Sequence, residues 1–132
     1  MQTFEVTLPW PPSLNSMYLN RKSGSGRGRI LSPKGRRWKE AASLIIRAAP
    51  GYRHELFSRD TDVYVCYLLC EPDKRLRDAD NLLKIINDTL QKSLLIVNDA
   101  QIRAGAFAFG DRGDNGGVVT VSVSAMSGHP VA

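Results

Sequence analysis

The sequence of 132 residues is poor in the residue types that build redox, zinc or nucleophilic sites. Its two cysteines and two histidines do not have the spacing of a zinc site or of a nucleophile with its base. Cys66 and Cys70 fall on one predicted strand, where four residues span about 13 Å at ~3.3 Å each, too far for a disulfide. We expect both thiols to be reduced and buried, and we assign no role to His54 or His129.

Long apolar runs are also missing. One of the longest, Val63–Cys70, is far shorter than a membrane span, and the first residues lack the basic and apolar segments of a secretion signal. We therefore expect a cytoplasmic protein with no membrane partner. A hydrophobic content of 42% with 23% charged residues excludes general disorder and indicates one domain over residues 1–132.

Acidic residues are absent from a long N-terminal segment. None occurs between Val6 and Lys39, which holds eight of the 18 basic residues of a chain with net charge +5. Residues 21–31 mix basic residues with glycine and serine, which predicts a flexible loop. Such a loop favours contact with nucleic-acid phosphates over its alternative, a solvated surface. The predicted DNA contacts in this segment are Asn15, Arg27, Arg29, Arg36 and Arg37; Asn15 could instead organise its turn.

The N-terminal half of the chain predicts two strands and one helix. Alternation over Phe4–Leu8 is typical of a half-buried strand, and a long loop follows from Pro12. Ser32-Pro33 indicates a helix start, with Ser32 as the cap, and the helix ends near Ala49. The apolar segment Asp62–Cys70 lacks clear alternation, so we expect a central strand covered on both faces.

The C-terminal half predicts a second helix and two further strands. The helix covers Asp78–Ser93, and the strands cover Arg103–Phe109 and Val118–Ala125. The glycine-rich segment 110–117 between these strands is typical of a hairpin, and the tail 127–132 is expected to fray. The chain therefore has the order β-α-β-α-β-β, an α+β fold in one two-layer domain with a mixed sheet and two principal helices.

The second helix is amphipathic and begins with two aspartates. Its predicted buried face consists of Leu82, Ile85, Ile86, Thr89, Leu90 and Ser93, and its polar face of Asp80, Asn81, Lys84, Asn87, Asp88 and Gln91. Asp78 and Asp80 have a simple explanation as helix cap and first-turn acid. Capping does not explain Asp99, a third carboxylate in the turn after the helix, or Lys84, one turn beyond Asp80. Further basic residues, Lys74, Arg75 and Arg77, precede the pair and would attract a phosphodiester. Carboxylates without nitrogen or sulfur ligands suit Mg²⁺.

Three strings of residues resemble the RusA family of small homodimeric Holliday junction resolvases, often carried by phages and prophages. They are PPSLN at residues 11–15, RLRDADNLLK at residues 75–84 and NDAQI at residues 98–102. Their order and spacing are far more specific than a lone pair of aspartates. The resemblance covers nearly the whole chain, from the first strand to the last.

The resemblance implies a site of three metal-binding aspartates and one required lysine. By motif position the aspartates are Asp78, Asp80 and Asp99, and the lysine is Lys84. We expect Mg²⁺, which Mn²⁺ could replace, and no small-molecule cofactor. The family commonly has two adjacent acids where this chain has Asn98 and Asp99. Because the second position is the one matched to the site, we expect activity to survive.

The function that follows is metal-dependent hydrolysis of DNA at four-way junctions. A two-fold homodimer would make two matched nicks in a two-fold substrate, in DNA recombination and repair. Lys84 would stabilise developing negative charge or orient the attacking water, while Asn81 and Asp88 would support the site or simply face solvent. Two alternatives stay open: a DNA-binding protein without catalysis, and a metal-dependent nuclease for other branched DNA.

Overall fold

A computed structural model describes residues 2–20, 29–113 and 116–126. In chain order its elements are β1 (Thr3–Pro9), α1 (Leu14–Met17), β2 (Tyr18–Asn20), β3 (Arg29–Leu31), α2 (Pro33–Ala48), β4 (Val63–Cys70), α3 (Ala79–Lys92), a 3-10 turn (Asp99–Gln101), β5 (Ile102–Phe109) and β6 (Val118–Ala125). The predicted α+β fold with a mixed sheet and two principal helices is confirmed. No helix within these three ranges is long and apolar enough to cross a membrane.

The N-terminal connection differs from the prediction. Residues 21–28, including Arg27, and the tail 127–132 lie outside the described residues. Residues 29–31, predicted as the end of the basic loop, form β3 and pair antiparallel with β2. The long loop predicted after Pro12 likewise contains α1 and β2. Elements of three or four residues are too short to have a recognisable hydrophobic period.

The predicted hairpin between β5 and β6 is wrong, because β4 lies between these two strands in the order β1-β6-β4-β5. β5 pairs parallel to β4 after α3 crosses between them, and β6 pairs antiparallel to β4 on the other side. The glycine-rich connection instead passes the end of β4. There Gly117, at φ +74, comes so close to the chain that a Cβ atom would lie 2.7 Å from the carbonyl oxygen of Cys70.

β4 alternates more clearly in burial than in sequence. Its residues Val63, Val65, Tyr67 and Leu69 are buried under the helices, whereas Tyr64 and Leu68 are exposed on the opposite face. The predicted cover on both faces is therefore wrong for a single chain, because one face of β4 is open. The sequence showed no clear alternation because apolar residues occupy this open face as well. Cys66 and Cys70 are free thiols, as predicted, but they are half-exposed on this face rather than buried.

Helices α2 and α3 cover the other face of the sheet. Both predicted helix starts are confirmed: the Ser32 side chain accepts a hydrogen bond from the amide of Gly35 at 2.9 Å, and Asp78 caps α3. The predicted apolar face of α3 is confirmed too, since its residues Leu82, Ile85, Ile86, Thr89, Leu90 and Ser93 are all buried. The apolar members join the core formed by the helix-facing side chains of β1, β4 and β6. This packing fixes the start of α3 relative to the sheet.

α1 docks against the first turn of α2. The hydroxyl of Ser32 donates to the carbonyl of Met17 (3.1 Å), whose oxygen also accepts from the amide of Ser32 (2.9 Å). A Cβ on Gly35 would collide with the same carbonyl oxygen. Glycine at this position therefore allows the close approach of α1 to α2.

Tyr67 links β4 to the polar face of α3 through a hydrogen bond that its hydroxyl donates to Oδ1 of Asn87. Burial raises the pKa of Tyr67 to about 12, and the bond to Asn87 offsets part of that effect. Because the pKa is near 10 in the unfolded chain, the folded state holds this proton more tightly. Below about pH 10 the tyrosine is protonated in both states, so its ionisation does not change the free energy of unfolding. Between about pH 10 and pH 12 we expect that free energy to fall by roughly 2 kcal/mol.

Chemical denaturation across this pH range checks the prediction. Tyr67→Phe cannot ionise, so its stability should fall less steeply than that of the wild type above about pH 10. Equal slopes for the two proteins would show that the loss comes from other groups.

Candidate active site

The site begins at the N-terminus of α3, where Asp78 is the capping residue. Its Oδ1 accepts a hydrogen bond from the amide of Asp80 at 3.0 Å, and its Oδ2 lies 3.5 Å from Nδ2 of Asn81. Both aspartates are exposed. The capping interpretation is therefore confirmed for Asp78, and among the residues that the structure describes Oδ2 has only the long amide contact to Asn81. The helix dipole favours negative charge at this end.

Lys84 lies on the polar face of α3, one turn after Asp80, and is exposed. Lys84 and Asn81 line one cavity of about 290 Å³ together with Tyr18 of β2. The 3.6-residue period of the helix accounts for this alignment, because residues three and four apart share a face. The structure thus places Asp78, Asp80, Asn81 and Lys84 within about two turns at the start of α3.

Arg77 is placed differently from the other predicted DNA contacts. Its guanidinium pairs with Glu71 (3.2 Å) and Asp73 (2.8 Å), and its side chain is only 16% exposed. It also lies 5.3 Å from the centroid of the Trp10 ring. The predicted DNA contact through Arg77 is not supported by this placement. Arg77 instead stiffens the segment that leads into Asp78, since a planar guanidinium fits several fixed acceptors at once.

Asp73 completes this network. Its carboxylate accepts from the amide of Arg75 at 2.9 Å and from the guanidinium of Arg77 at 2.8 Å. These two hydrogen bonds, the amide first, lower the pKa of Asp73 below its usual value. The loop is thus held by charge-assisted hydrogen bonds. The side chains of Lys74 and Arg75 remain exposed, although the Arg75 guanidinium lies 3.5 Å from the Asp73 carboxylate.

Asp99 lies at the other end of α3. Its amide donates to Oε1 of Gln91 at 2.9 Å. Gln91 follows Asp80 by 11 residues, which is about 16 Å along the helix at ~1.5 Å per residue. Among the residues that the structure describes, no three acidic, histidine or cysteine side chains lie close enough to hold one metal ion. Within one chain, the structure therefore places Asp99 apart from Asp78 and Asp80.

The turn around Asp99 is organised by its neighbours. Asn98 caps the 3-10 turn, because its Oδ1 accepts from the amide of Ala100 at 2.8 Å. The buried side chain of Gln101 accepts from the amide of Asn98 (3.0 Å) and donates to the carbonyls of Ser58 (2.7 Å) and Thr61 (2.9 Å). Asn98 thus has a structural role in which aspartate would serve equally well. Gln101 holds the carboxylate of Asp99 in a fixed turn.

The remaining predicted residues occupy several positions. Asp88 pairs with Lys39 of α2 at 3.6 Å, where Lys39 is nearly buried, so this aspartate clamps two helices together. Asn15 is exposed within α1, whose cap is Ser13. Arg36 and Arg37 are exposed near the start of α2, and the side chain of Arg29 lies outside the described residues.

Sequence reasoning missed Lys39 and Trp10. Lys39 gives no local signal, because its partner lies on another helix. Trp10 stands among three prolines, in LPWPP, and this unusual context was the one available signal. Its ring lies against Arg77, a contact between segments far apart in the chain.

Comparison with known proteins places the chain among the endodeoxyribonucleases. Residues 9–123 match the family model described as Endodeoxyribonuclease RusA. This match covers most of the chain, which therefore belongs to the RusA family. The predicted family is confirmed.

Several curated relatives are similar over most of their length. The crossover junction endodeoxyribonuclease RusA of Shigella sonnei (strain Ss046) is 35% identical over 105 residues, which cover 77% of this chain and 78% of the relative. The protein of the same name from Escherichia coli (strain K12) is 34% identical over 105 residues, with the same coverage of 77% and 78%. That of Enterobacteria phage HK97 is 30% identical over 101 residues, or 76% of this chain and 78% of the relative.

Proposed function

We propose that this protein is a Mg²⁺-dependent endonuclease that resolves four-way DNA junctions by paired symmetric nicks, in DNA recombination and repair in a bacterial cytoplasm. The observation that carries the proposal is the exposed pair Asp78 and Asp80 at the start of α3, beside the exposed cations Lys74 and Arg75. The cations attract a phosphate, whereas the neighbouring carboxylates would repel it. A metal ion held by the carboxylates would offset this repulsion. The names of the relatives support the junction as the substrate.

The donor set of the acid pair fits Mg²⁺, a hard ion that proteins usually bind through one or two carboxylates, water and a substrate phosphate. Asp78 and Asp80 would hold it. When bound, such an ion would polarise a phosphoryl oxygen and lower the pKa of a water molecule. Asp78 would ligate through Oδ2, since its Oδ1 accepts the capping bond from Asp80.

The chain's own residues position the substrate and stabilise charge. Lys84 lies in the second turn of α3, one turn after Asp80, where its ammonium would stabilise negative charge that develops on the phosphate. Asn81 donates toward Oδ2 of Asp78 and so orients this carboxylate. Arg77 holds the preceding loop through Glu71 and therefore acts as a positioning residue.

A homodimer would bring the third aspartate to the acid pair. Because Asp99 lies about three turns of α3 from Asp80 in its own chain, the two-chain arrangement supplies it from the partner. Two apolar side chains exposed on the open face of β4, Tyr64 and Leu68, support burial against a second copy. Phe107 and Phe109 of the edge strand β5 are also exposed, but on the opposite face of the sheet. Two such sites across a two-fold axis would account for paired nicks.

Cleavage of a synthetic four-way junction in Mg²⁺, resolved on a denaturing gel, tests the proposal. We expect symmetric nicks in two opposed strands and little cutting of linear duplex. Tight binding without nicks would favour a DNA-binding protein in which Asp78 serves only as a cap. Equal cutting of flaps and junctions would favour a nuclease for branched DNA in general.

The basic residues of the segment between Val6 and Lys39 are expected to set the salt dependence of junction binding. Changing Arg27, Arg29, Arg36 and Arg37 to glutamine should weaken binding and reduce the slope of log affinity against log salt by ~0.9 for each phosphate that these arginines neutralise. Fluorescence anisotropy across a salt series measures this slope. The double change of Arg36 and Arg37 tests the exposed pair on α2 alone.

The control removes two charges elsewhere, with Arg53→Gln and Arg59→Gln in the exposed connection between α2 and β4. Its slope should stay close to that of the wild type. If the Arg36 and Arg37 double variant behaves like this control, the start of α2 does not contact phosphates.

A further inference from the structure

A cavity of about 420 Å³ lies beside Asp78, and the function proposed above does not use its interior. It opens between the proline-rich segment after β1 and the loop that precedes α3. About half of its lining residues are apolar, among them Trp10, Leu14 and Leu76, while Asp78 and Asn81 form part of its polar side. The volume falls within the range of small-molecule sites, and the lining combines apolar walls with polar and charged groups.

The aromatic side chain of this cavity, Trp10, is held in place by its neighbours, one of which, Arg77, also lines the cavity. Arg77 lies 5.3 Å from the centroid of the Trp10 ring and is itself fixed by Glu71 and Asp73. The indole of Trp38 donates to the carbonyl of Pro9 at 3.3 Å, which anchors the residue before Trp10. A ring that is already immobilised can stack on a planar ligand with little loss of side-chain entropy.

The polar groups and the charge around the cavity select the class of ligand. Asn81 offers both an amide donor and an acceptor, and Asp78 offers a carboxylate. The exposed cations Lys34 and Arg75 line the same cavity, where they can contact phosphates on either side of a bound group. A planar, hydrogen-bonding heterocycle that is flanked by phosphates meets all three conditions, and a nucleobase in a DNA strand is such a group.

We propose that this cavity binds one unstacked nucleobase of branched DNA, next to the phosphodiester held at the start of α3. The inference rests on the proposed function, because it requires DNA at the acid pair. Bases at a branch point are less firmly stacked than those within a duplex, which lowers the cost of turning one out. Leu76, fully exposed at 101% on the rim, would cover the inserted base.

Binding to junctions with single abasic positions tests this inference without requiring cleavage. Each nucleotide next to the point of strand exchange is replaced in turn by an abasic analogue, and affinity is measured by fluorescence anisotropy in the absence of divalent ions. For the wild type we expect one position to weaken binding by about tenfold, the scale of one base stacked on an aromatic side chain. Leu76→Ala and Trp10→Leu should bind the intact junction more weakly and lose most of this abasic penalty.

Leu44→Ala serves as the matched control, because Leu44 is exposed on α2 and does not line the cavity. It should keep the full abasic penalty. Leu76→Ala decides the outcome if Trp10→Leu fails to fold, since a fully exposed side chain contributes little to the core. The inference is overturned if no abasic position weakens binding, or if the penalty is unchanged in Leu76→Ala.

The two proposals fail in different ways. Nicking of the intact junction by the wild type in Mg²⁺ reports on the endonuclease alone. An abasic penalty that depends on Leu76, found in a protein that never nicks, would support the base site and reject the endonuclease. Nicking without such a penalty would do the reverse.

Discussion

Asp78→Asn, Asp80→Asn and Asp99→Asn are each expected to reduce junction cleavage in Mg²⁺ by at least ~100-fold while leaving junction binding intact or improved. Asparagine keeps the shape of each side chain but removes the charge that holds a hard cation. Binding should not suffer, since each change removes a negative charge from beneath a phosphate. Single-turnover cleavage and anisotropy measure the two quantities. Cleavage at the wild-type rate in these variants would reject the metal site.

Two controls separate ligation from capping. Asparagine caps a helix about as well as aspartate, so Asp78→Asn should melt near the wild type, whereas Asp78→Ala should lose about 1 kcal/mol of stability. Asn98→Asp adds an acid next to Asp99 at a position that already caps the 3-10 turn. We expect it to change the cleavage rate only modestly. A large gain would mean that the first acid of this pair matters more than Asp99.

Mixing two inactive variants tests whether each site uses both chains. Consider a heterodimer of Asp78→Asn with Asp99→Asn in which each site takes Asp99 from the partner. One site would then keep all three aspartates, and the other would lose both Asp78 and Asp99. Such a mixture should recover single nicks without paired ones. If all three aspartates came from one chain, every site would carry a substitution and the mixture would stay inactive.

Lys84→Ala is expected to slow cleavage by ~100-fold or more without loss of junction binding or thermal stability. The side chain is exposed on α3, and alanine is the best helix former, so the helix should not suffer. The large expected effect comes from removing one positioned charge near the reacting phosphate. Single-turnover kinetics and thermal melting, measured together, check both parts.

Lys84→Arg keeps the charge but changes the shape of its head group, so it should restore only part of the rate. Arg53→Ala removes the same charge from an exposed position in the connection between α2 and β4, and it should cleave normally. Near-normal cleavage by Lys84→Ala would leave the acid pair without a charge stabiliser.

Local signals predicted those features that depend on residues only a few positions apart in the chain. The starts of α2 and α3 were identifiable because a cap is decided within about four residues, at Ser32 and Asp78. The faces of α3 were identifiable because the helical period repeats without reference to the rest of the chain. The same reasoning failed for strand pairing. A glycine-rich connection after β5 signals a turn, but it does not specify which strand lies next to β5 or β6 in the sheet.

By itself, the sequence determined the family, the two principal helices and the acid pair at the start of α3. Each of these depends on residues that are close in the chain, where spacing fixes geometry. Only the tertiary structure decided that Arg77 faces inward, that one sheet face stays open, and that Asp99 lies at the far end of α3 from Asp78. These features depend on which distant segments pack together, and the free energy of that packing is shared by the whole core rather than written in any short string of residues.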